Sequence, residues 1–206
     1  MAGIALIDYG AGNLQSVLNA LKAAGASDIA VTADPVEILA GKRIVLPGVG
    51  AFAHCMGALV AIPGMIDALT ETVIVRERPF LGICVGMQLL ATVGREDGDT
   101  PGLGWVPGEV ARLAPADPAL KVPHIGWNTL EAARPHALTA GVPLGPEGRH
   151  AYFLHGYALT PAEPSDLVAS ATYGGPVAAI VARGSPSRRS VRGAYQSRPM
   201  KSMLAW

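Results

Sequence analysis

The residues best placed by type and spacing to do chemistry lie in Pro79-Phe80-Leu81-Gly82-Ile83-Cys84-Val85-Gly86-Met87-Gln88-Leu89-Leu90. There an apolar run enters Gly-x-Cys-x-Gly and passes straight into a helical pattern. This is the strand-to-helix elbow that presents a nucleophile, with sulfur in place of the hydroxyl. The glycines permit a tight turn and a close approach of neighbouring backbone, which pushes the central side chain out at the carboxyl edge of a sheet. Cys84 is the candidate nucleophile. At the first turn of a helix, unpaired N–H groups favour thiolate over thiol, and the thiolate is the attacking species. The Val85 amide is positioned to donate to the oxyanion formed when a carbonyl is attacked. The competing reading is a buried structural cysteine at a strand end.

A second glycine-rich turn, Leu46-Pro47-Gly48-Val49-Gly50-Ala51-Phe52, follows the preceding strand and falls at the same sheet edge. It is a natural second oxyanion donor, although taken alone it better suits an ordinary strand-to-helix loop. Gly10-x-Gly12 lacks the third glycine of a phosphate loop and reads as a tight turn, so no nucleotide site follows. His54 and Cys55 are adjacent on an expected helix and project in different directions, which argues against a metal pair. His136 and His150 stand in Pro- and Gly-rich loops and are expected to be solvated. Neither metal nor cofactor is expected.

These residues must be positioned by strands and helices in alternation. Apolar runs at 4–7, 29–31, 44–46 and 80–83 are each followed by a helical pattern, at 14–24, 36–39, onward to 75, and 85–93. Continuous apolar strands, each followed by a helix, predict an α/β open, mostly parallel sheet with helices on both faces. After Gly94, strand-like stretches at 108–113, 151–160, 167–173 and 177–181 predict an added, partly antiparallel layer. From Arg183 the composition turns to Arg, Ser and Pro, and no acidic residue follows Asp166. The stretch 184–206 therefore reads as an atypical tail and a poor core element.

At 206 residues the chain suits a single domain able to bury one core without disulfides. The 16 basic and 16 acidic residues cancel, so no net field recruits nucleic acid or an anionic membrane. The first residues carry no basic leader and their apolar run ends at Asp8, so a cytoplasmic protein is expected.

Several segments then resemble, in order, the glutaminase subunit of imidazole glycerol phosphate synthase, a branch of the flavodoxin-like class I glutamine amidotransferases. They are Asp8 to Val17, Leu46 to Phe52, Leu81 to Leu90, Gly102 to Gly108, Pro123-His124-Ile125-Gly126-Trp127-Asn128, and Tyr152 to Tyr157. The resemblance implies hydrolysis of glutamine through a glutamyl thioester on Cys84. It implies an oxyanion hole framed by Gly48, Val49 and Val85, and glutamine contacts from Gln88, Glu96, Tyr152 and His155. The ammonia would pass to a cyclase subunit contacted by Pro123, His124, Trp127, Asn128 and Lys201.

One part of the family pattern is not matched. A cysteine nucleophile of this kind needs a histidine oriented by a carboxylate. In the family these stand in Gln-Phe-His-Pro-Glu-Lys-Ser near the C-terminus. Here the corresponding stretch is Gln196-Ser197-Arg198-Pro199-Met200-Lys201-Ser202, with Arg198 for histidine and Met200 for glutamate. Arginine stays protonated and methionine carries no charge, so neither does that work. A shifted reading frame after Arg183 accounts for the abrupt break; the alternative is a non-catalytic subunit that binds the cyclase. Rescue of the missing base by His155 is not expected.

Overall fold

The computed structural model describes residues 3–184 and 192–195. Its first half is a run of strand–helix steps: β1 (Ile4–Ile7) and α1 (Leu14–Ala23), then β2 (Ile29–Thr32) and α2 (Pro35–Ala40). Next come β3 (Ile44–Gly48) with α3 (Phe52–Val60) and α4 (Met65–Thr70), and β4 (Phe80–Cys84) with α5 (Val85–Gln88). The helix starts are legible in the residues. The Asn13 carboxamide oxygen accepts from the Ser16 N–H, and the Asp34 carboxylate accepts from the Val36 N–H with Pro35 at the first helical position. α4 widens into a π-type turn over Glu71–Val75.

The strands are apolar throughout because both of their faces are covered. Ala5, Ile7, Ile44, Leu46 and Phe80 pack on one side with Ile38 of α2, Leu59 of α3, Met65 of α4 and Met87 of α5. Leu6, Val45, Leu81 and Ile83 alternate to the opposite side and pack with Val17 and Leu21 of α1. Each fully buried Leu or Ile contributes about 1.5–3 kcal/mol, so both helical layers are held by the same strands.

The second half adds β5 (Val93–Gly94), β6 (Thr100–Pro101), β7 (Gly108–Arg112), β8 (His124–Thr129) and β9 (Glu131–Ala132). It continues with β10 (His150–His155), β11 (Tyr157–Pro161), β12 (Leu167–Thr172), β13 (Pro176–Arg183) and β14 (Arg192–Tyr195). The main sheet has eight strands in the order β2-β1-β3-β4-β14-β13-β12-β9. It is parallel from β2 through β14 and antiparallel beyond. A four-stranded sheet, β11-β7-β5-β6, and a two-stranded ribbon, β10-β8, form the added layer. The expected architecture is present.

Three expectations on the elements are corrected. The helix expected over 85–93 stops at Gln88, because the carbonyls of Leu89, Leu90 and Ala91 are taken by the N–H groups of Leu103, Val106 and Gly104. The single strand expected over 151–160 is two. β10 pairs with β8 and β11 with β7, and between them the Gly156 carbonyl accepts from the Leu113 N–H. Finally, part of the stretch judged a poor core element is a central strand: β14 runs parallel to β4, Arg192 opposite Phe80 and Tyr195 opposite Ile83. A strand ladder uses backbone groups that every residue but proline supplies, so Arg- and Ser-rich composition does not prevent it.

Candidate active site

Cys84 closes β4 with φ 57° and ψ −119°, a left-handed backbone that a non-glycine residue adopts at a cost of about 1–3 kcal/mol. The surrounding glycines make this turn possible. A Cβ on Gly82 would lie 2.4 Å from the Gly86 carbonyl oxygen, one on Gly86 2.0 Å from the Leu46 carbonyl oxygen, and one on Gly48 2.5 Å from the Gly86 nitrogen. β3, β4 and α5 thus meet backbone to backbone, and the thiol is turned outward.

It enters a cleft of about 730 Å³ at the carboxyl ends of the parallel strands. Asn13 and Ser16 line it from the segment after β1, Gly48 to Gly50 from the turn after β3, and Cys84, Val85 and Gln88 from the elbow. Glu96, Tyr152, His155 and Tyr157 close the far wall. Position and size suit a small polar molecule at the switch region of an open α/β sheet.

The electrostatics differ from the sequence expectation. Burial pushes the Cys84 thiol above its ordinary value, the Val85 N–H pulls it back in part, and neighbouring Cys55 raises it further. A four-residue α5 supplies little dipole, so desolvation outweighs it. Alkylation of Cys84 by a small neutral electrophile is therefore expected to rise with pH and to inflect above the free-thiol value of about 8.5. A rate that has levelled off by neutral pH overturns this.

The expected oxyanion donors are divided. The Val85 amide faces the Cys84 sulfur. The Val49 N–H donates instead to the Ala11 carbonyl at 3.2 Å, and the Val49 carbonyl accepts from the Cys55 thiol at 3.3 Å. In this conformation Val49 is tied on both sides and does not donate towards Cys84.

The expected substrate contacts are brought together. Gln88 is buried, and its Nε2 donates to the Tyr157 carbonyl at 3.0 Å. One Glu96 oxygen accepts from the Phe52 N–H at 2.8 Å, capping α3, whose own cap residue Ala51 offers no side-chain oxygen. Tyr152 is half-buried and meets Trp127 edge to face, ring centres 5.5 Å apart. His155 is buried beside His124, and among the described residues it is the histidine lining the cleft.

The residues expected to face a partner are not all outward. Along β8 the pleat sends Ile125 and Trp127 out, at 57% and 65% exposure, and His124 in, at 3%. Asn128 is half-buried, its Nδ2 donating to the Thr172 carbonyl at 2.9 Å. Pro123 is exposed. His124 is thus internal and Asn128 half-buried, while Ile125 and Leu154, directly opposite on β10, complete an apolar outer face. Strict alternation along Pro123 to Asn128 was the signal for this, had the segment been read as a strand. Lys201, Arg198 and Met200 lie outside the described residues. His54 is exposed and Cys55 buried, as helix neighbours should differ. His136 is not merely solvated: its Nδ1 accepts from the Leu138 N–H.

Comparison with known proteins bears on this geometry. The family profile "Glutamine amidotransferase class-I" matches residues 5–191. The chain is 53% identical over 186 residues to "Imidazole glycerol phosphate synthase subunit HisH" of Rhodospirillum rubrum, covering 87% of this chain and 86% of that protein. The protein of the same name from Zymomonas mobilis is 54% identical over 182 residues, covering 87% and 83%. Among solved structures, one described as a glutamine amidotransferase superposes with a TM-score of 0.69 at 16% identity, covering 98% of this chain and 92% of that one. The glutaminase domain of Trypanosoma brucei CTPS gives 0.63 at 14% identity, covering 100% and 90%; both likenesses concern the fold. The glycine-framed Cys84 elbow is therefore that of a class I glutamine amidotransferase, and the chain belongs to the HisH branch of that family.

Proposed function

We propose that this chain hydrolyses glutamine at Cys84 and delivers the ammonia to a cyclase subunit that makes imidazole glycerol phosphate, working in the cytoplasm. The observation that carries this reading is the glycine-framed elbow, which turns a strained cysteine into a cleft with polar side chains in its wall. The thiolate attacks the side-chain amide carbon of glutamine, and the carbonyl electrons move to oxygen. The Val85 N–H stabilises that oxyanion; Val49 joins it only when its N–H leaves the Ala11 carbonyl. The amide nitrogen takes up the proton that the Cys84 thiol lost and leaves as ammonia on collapse, and water then opens the remaining glutamyl thioester to glutamate through a second oxyanion, returning the thiol. Gln88, Glu96 and Tyr152 hold the amino-acid end, and His155, both of whose ring nitrogens are engaged by His124 and Tyr157, lines the cleft beside them.

His155 does not act as the base in this arrangement, because its Nε2 lies 3.2 Å from His124 Nδ1 and its Nδ1 2.9 Å from the Tyr157 carbonyl. Proton transfer at Cys84 falls to another group, and the stretch around Arg198 and Met200 lies outside the described residues. The test is ammonia release from glutamine by the chain mixed with the cyclase subunit, with Cys84→Ala as control. Release that depends on Cys84 supports the reading. Release unaffected by Cys84→Ala overturns it, and so does none at all.

The cyclase contact rests on the Ile125–Trp127–Leu154 face, an apolar patch on a two-stranded ribbon beside the cleft. Exposed large aromatics of this kind carry a large share of interface energy. Trp127→Ser is expected to weaken binding of the cyclase by roughly tenfold or more while leaving the melting temperature of the isolated chain within a few degrees. Unchanged affinity in titration calorimetry would place the contact elsewhere.

A further inference from the structure

We propose that His124 is a positioning residue of the glutamine cleft: its Nδ1–H holds the His155 ring in place against the Tyr157 carbonyl, the same carbonyl that holds Gln88. The inference rests on the reading of the Cys84 cleft as a glutamine site.

His124 is held from both faces. Its ring stacks on Tyr173, centroids 3.9 Å apart at 19°, and on Phe153, 4.8 Å apart at 15°. The Tyr173 hydroxyl in turn donates to the Lys121 carbonyl at 2.6 Å, so that platform is itself fixed. A histidine at 3% exposure, clamped between two rings, has no freedom to turn towards solvent.

The protons of the pair follow from what each partner is able to do. The Tyr157 carbonyl only accepts, so His155 Nδ1, 2.9 Å away, carries a hydrogen. Burial holds His155 neutral, and its Nε2 is then a bare lone pair. His124 Nδ1 lies 3.2 Å from that lone pair and must be the donor. Donation therefore runs from His124 to His155 to the Tyr157 carbonyl, which also receives Gln88 Nε2 at 3.0 Å. Both lone pairs of the Tyr157 oxygen are occupied, and the Gln88 carboxamide is fixed with Oε1 as its acceptor end. Removing the His124 donor leaves a buried, unsatisfied lone pair on His155 Nε2, and the ring loses one of the two hydrogen bonds that hold it against the Tyr157 carbonyl.

Two substitutions separate the hydrogen bond from the stacking. His124→Phe keeps an aromatic ring between Tyr173 and Phe153 and removes the donor; His124→Asn keeps a donor near the Nδ1 position and removes the ring. A glutamine-derived chloroketone reports on the cleft through its half-saturating concentration for labelling Cys84. The expected result is a rise of roughly tenfold in His124→Phe, with recovery to within about threefold of the unsubstituted chain in His124→Asn. Long-range ¹H–¹⁵N correlation spectra of the unsubstituted chain are expected to show both His124 and His155 protonated at Nδ1 and bare at Nε2. An Nε2–H signature on either ring overturns the proposal whatever the labelling shows, and this arm does not depend on any variant folding. Should the unsubstituted chain be labelled and His124→Phe match it, the positioning role is wrong while the glutamine reading stands. If the unsubstituted chain is not labelled at Cys84, the glutamine reading fails and takes this role with it.

Discussion

Cys84→Ala is expected to abolish covalent capture of a glutamine-derived chloroketone and to leave Cys55 unlabelled, as read by intact mass and peptide mapping. Both cysteines are free thiols, yet their surroundings differ in kind. Cys84 lines the cleft, whereas Cys55 is fully buried on α3 with its thiol donating to the Val49 carbonyl. An electrophile shaped like glutamine reaches the first and not the second. Removing a nucleophile of this type costs several orders of magnitude in rate, because no other group forms the intermediate. Reversible binding of glutamine is expected to persist, since the side chains proposed to hold its amino-acid end lie elsewhere in the cleft. Equal labelling of Cys55 in the unsubstituted chain would refute the elbow argument.

Gly86→Ala is expected to destabilise the protein by about 3–5 kcal/mol, near the top of the range for single substitutions. Its Cβ would sit 2.0 Å from the Leu46 carbonyl oxygen and 2.9 Å from the Leu46 carbonyl carbon, and these are backbone atoms of β3 that have nowhere to move. The melting temperature should fall by about 10 °C, measured by differential scanning calorimetry. Gly57→Ala is the control. Gly57 lies within α3, is exposed, and would meet nothing within 4 Å, so alanine there should raise stability by about 0.5–1 kcal/mol. Similar behaviour of the two variants would mean that β3 and α5 do not meet as closely as described.

How far the sequence could be read follows from the range of the interactions involved. Gly82-Ile83-Cys84-Val85-Gly86 declared the elbow because its requirement is local: glycine where a Cβ cannot fit and one side chain projecting between. The apolar runs at β1, β3 and β4 declared a sheet covered on both faces for the same reason, since burial on two sides leaves no polar position. The end of α5 was illegible. It depends on Leu103 to Val106 folding back onto the carbonyls of Leu89 to Ala91, a contact more than ten residues away in the chain.

By itself, then, the sequence determined the candidate nucleophile, the glycines that frame it and the α/β order of the elements. Only the tertiary structure decided what surrounds the sulfur. Burial, not the helix end, sets the direction of the Cys84 thiol shift. The partner of the Val49 N–H is Ala11 and not the oxyanion position, because the turn after β1 lies against the turn after β3. His124 faces inward while Ile125 and Trp127 face out, because β8 pairs with β10 and one pleat face must cover Phe153 and His155. Local spacing specifies a turn, but hydrogen-bond partners and solvent exclusion are properties of segments distant in sequence that the fold brings together.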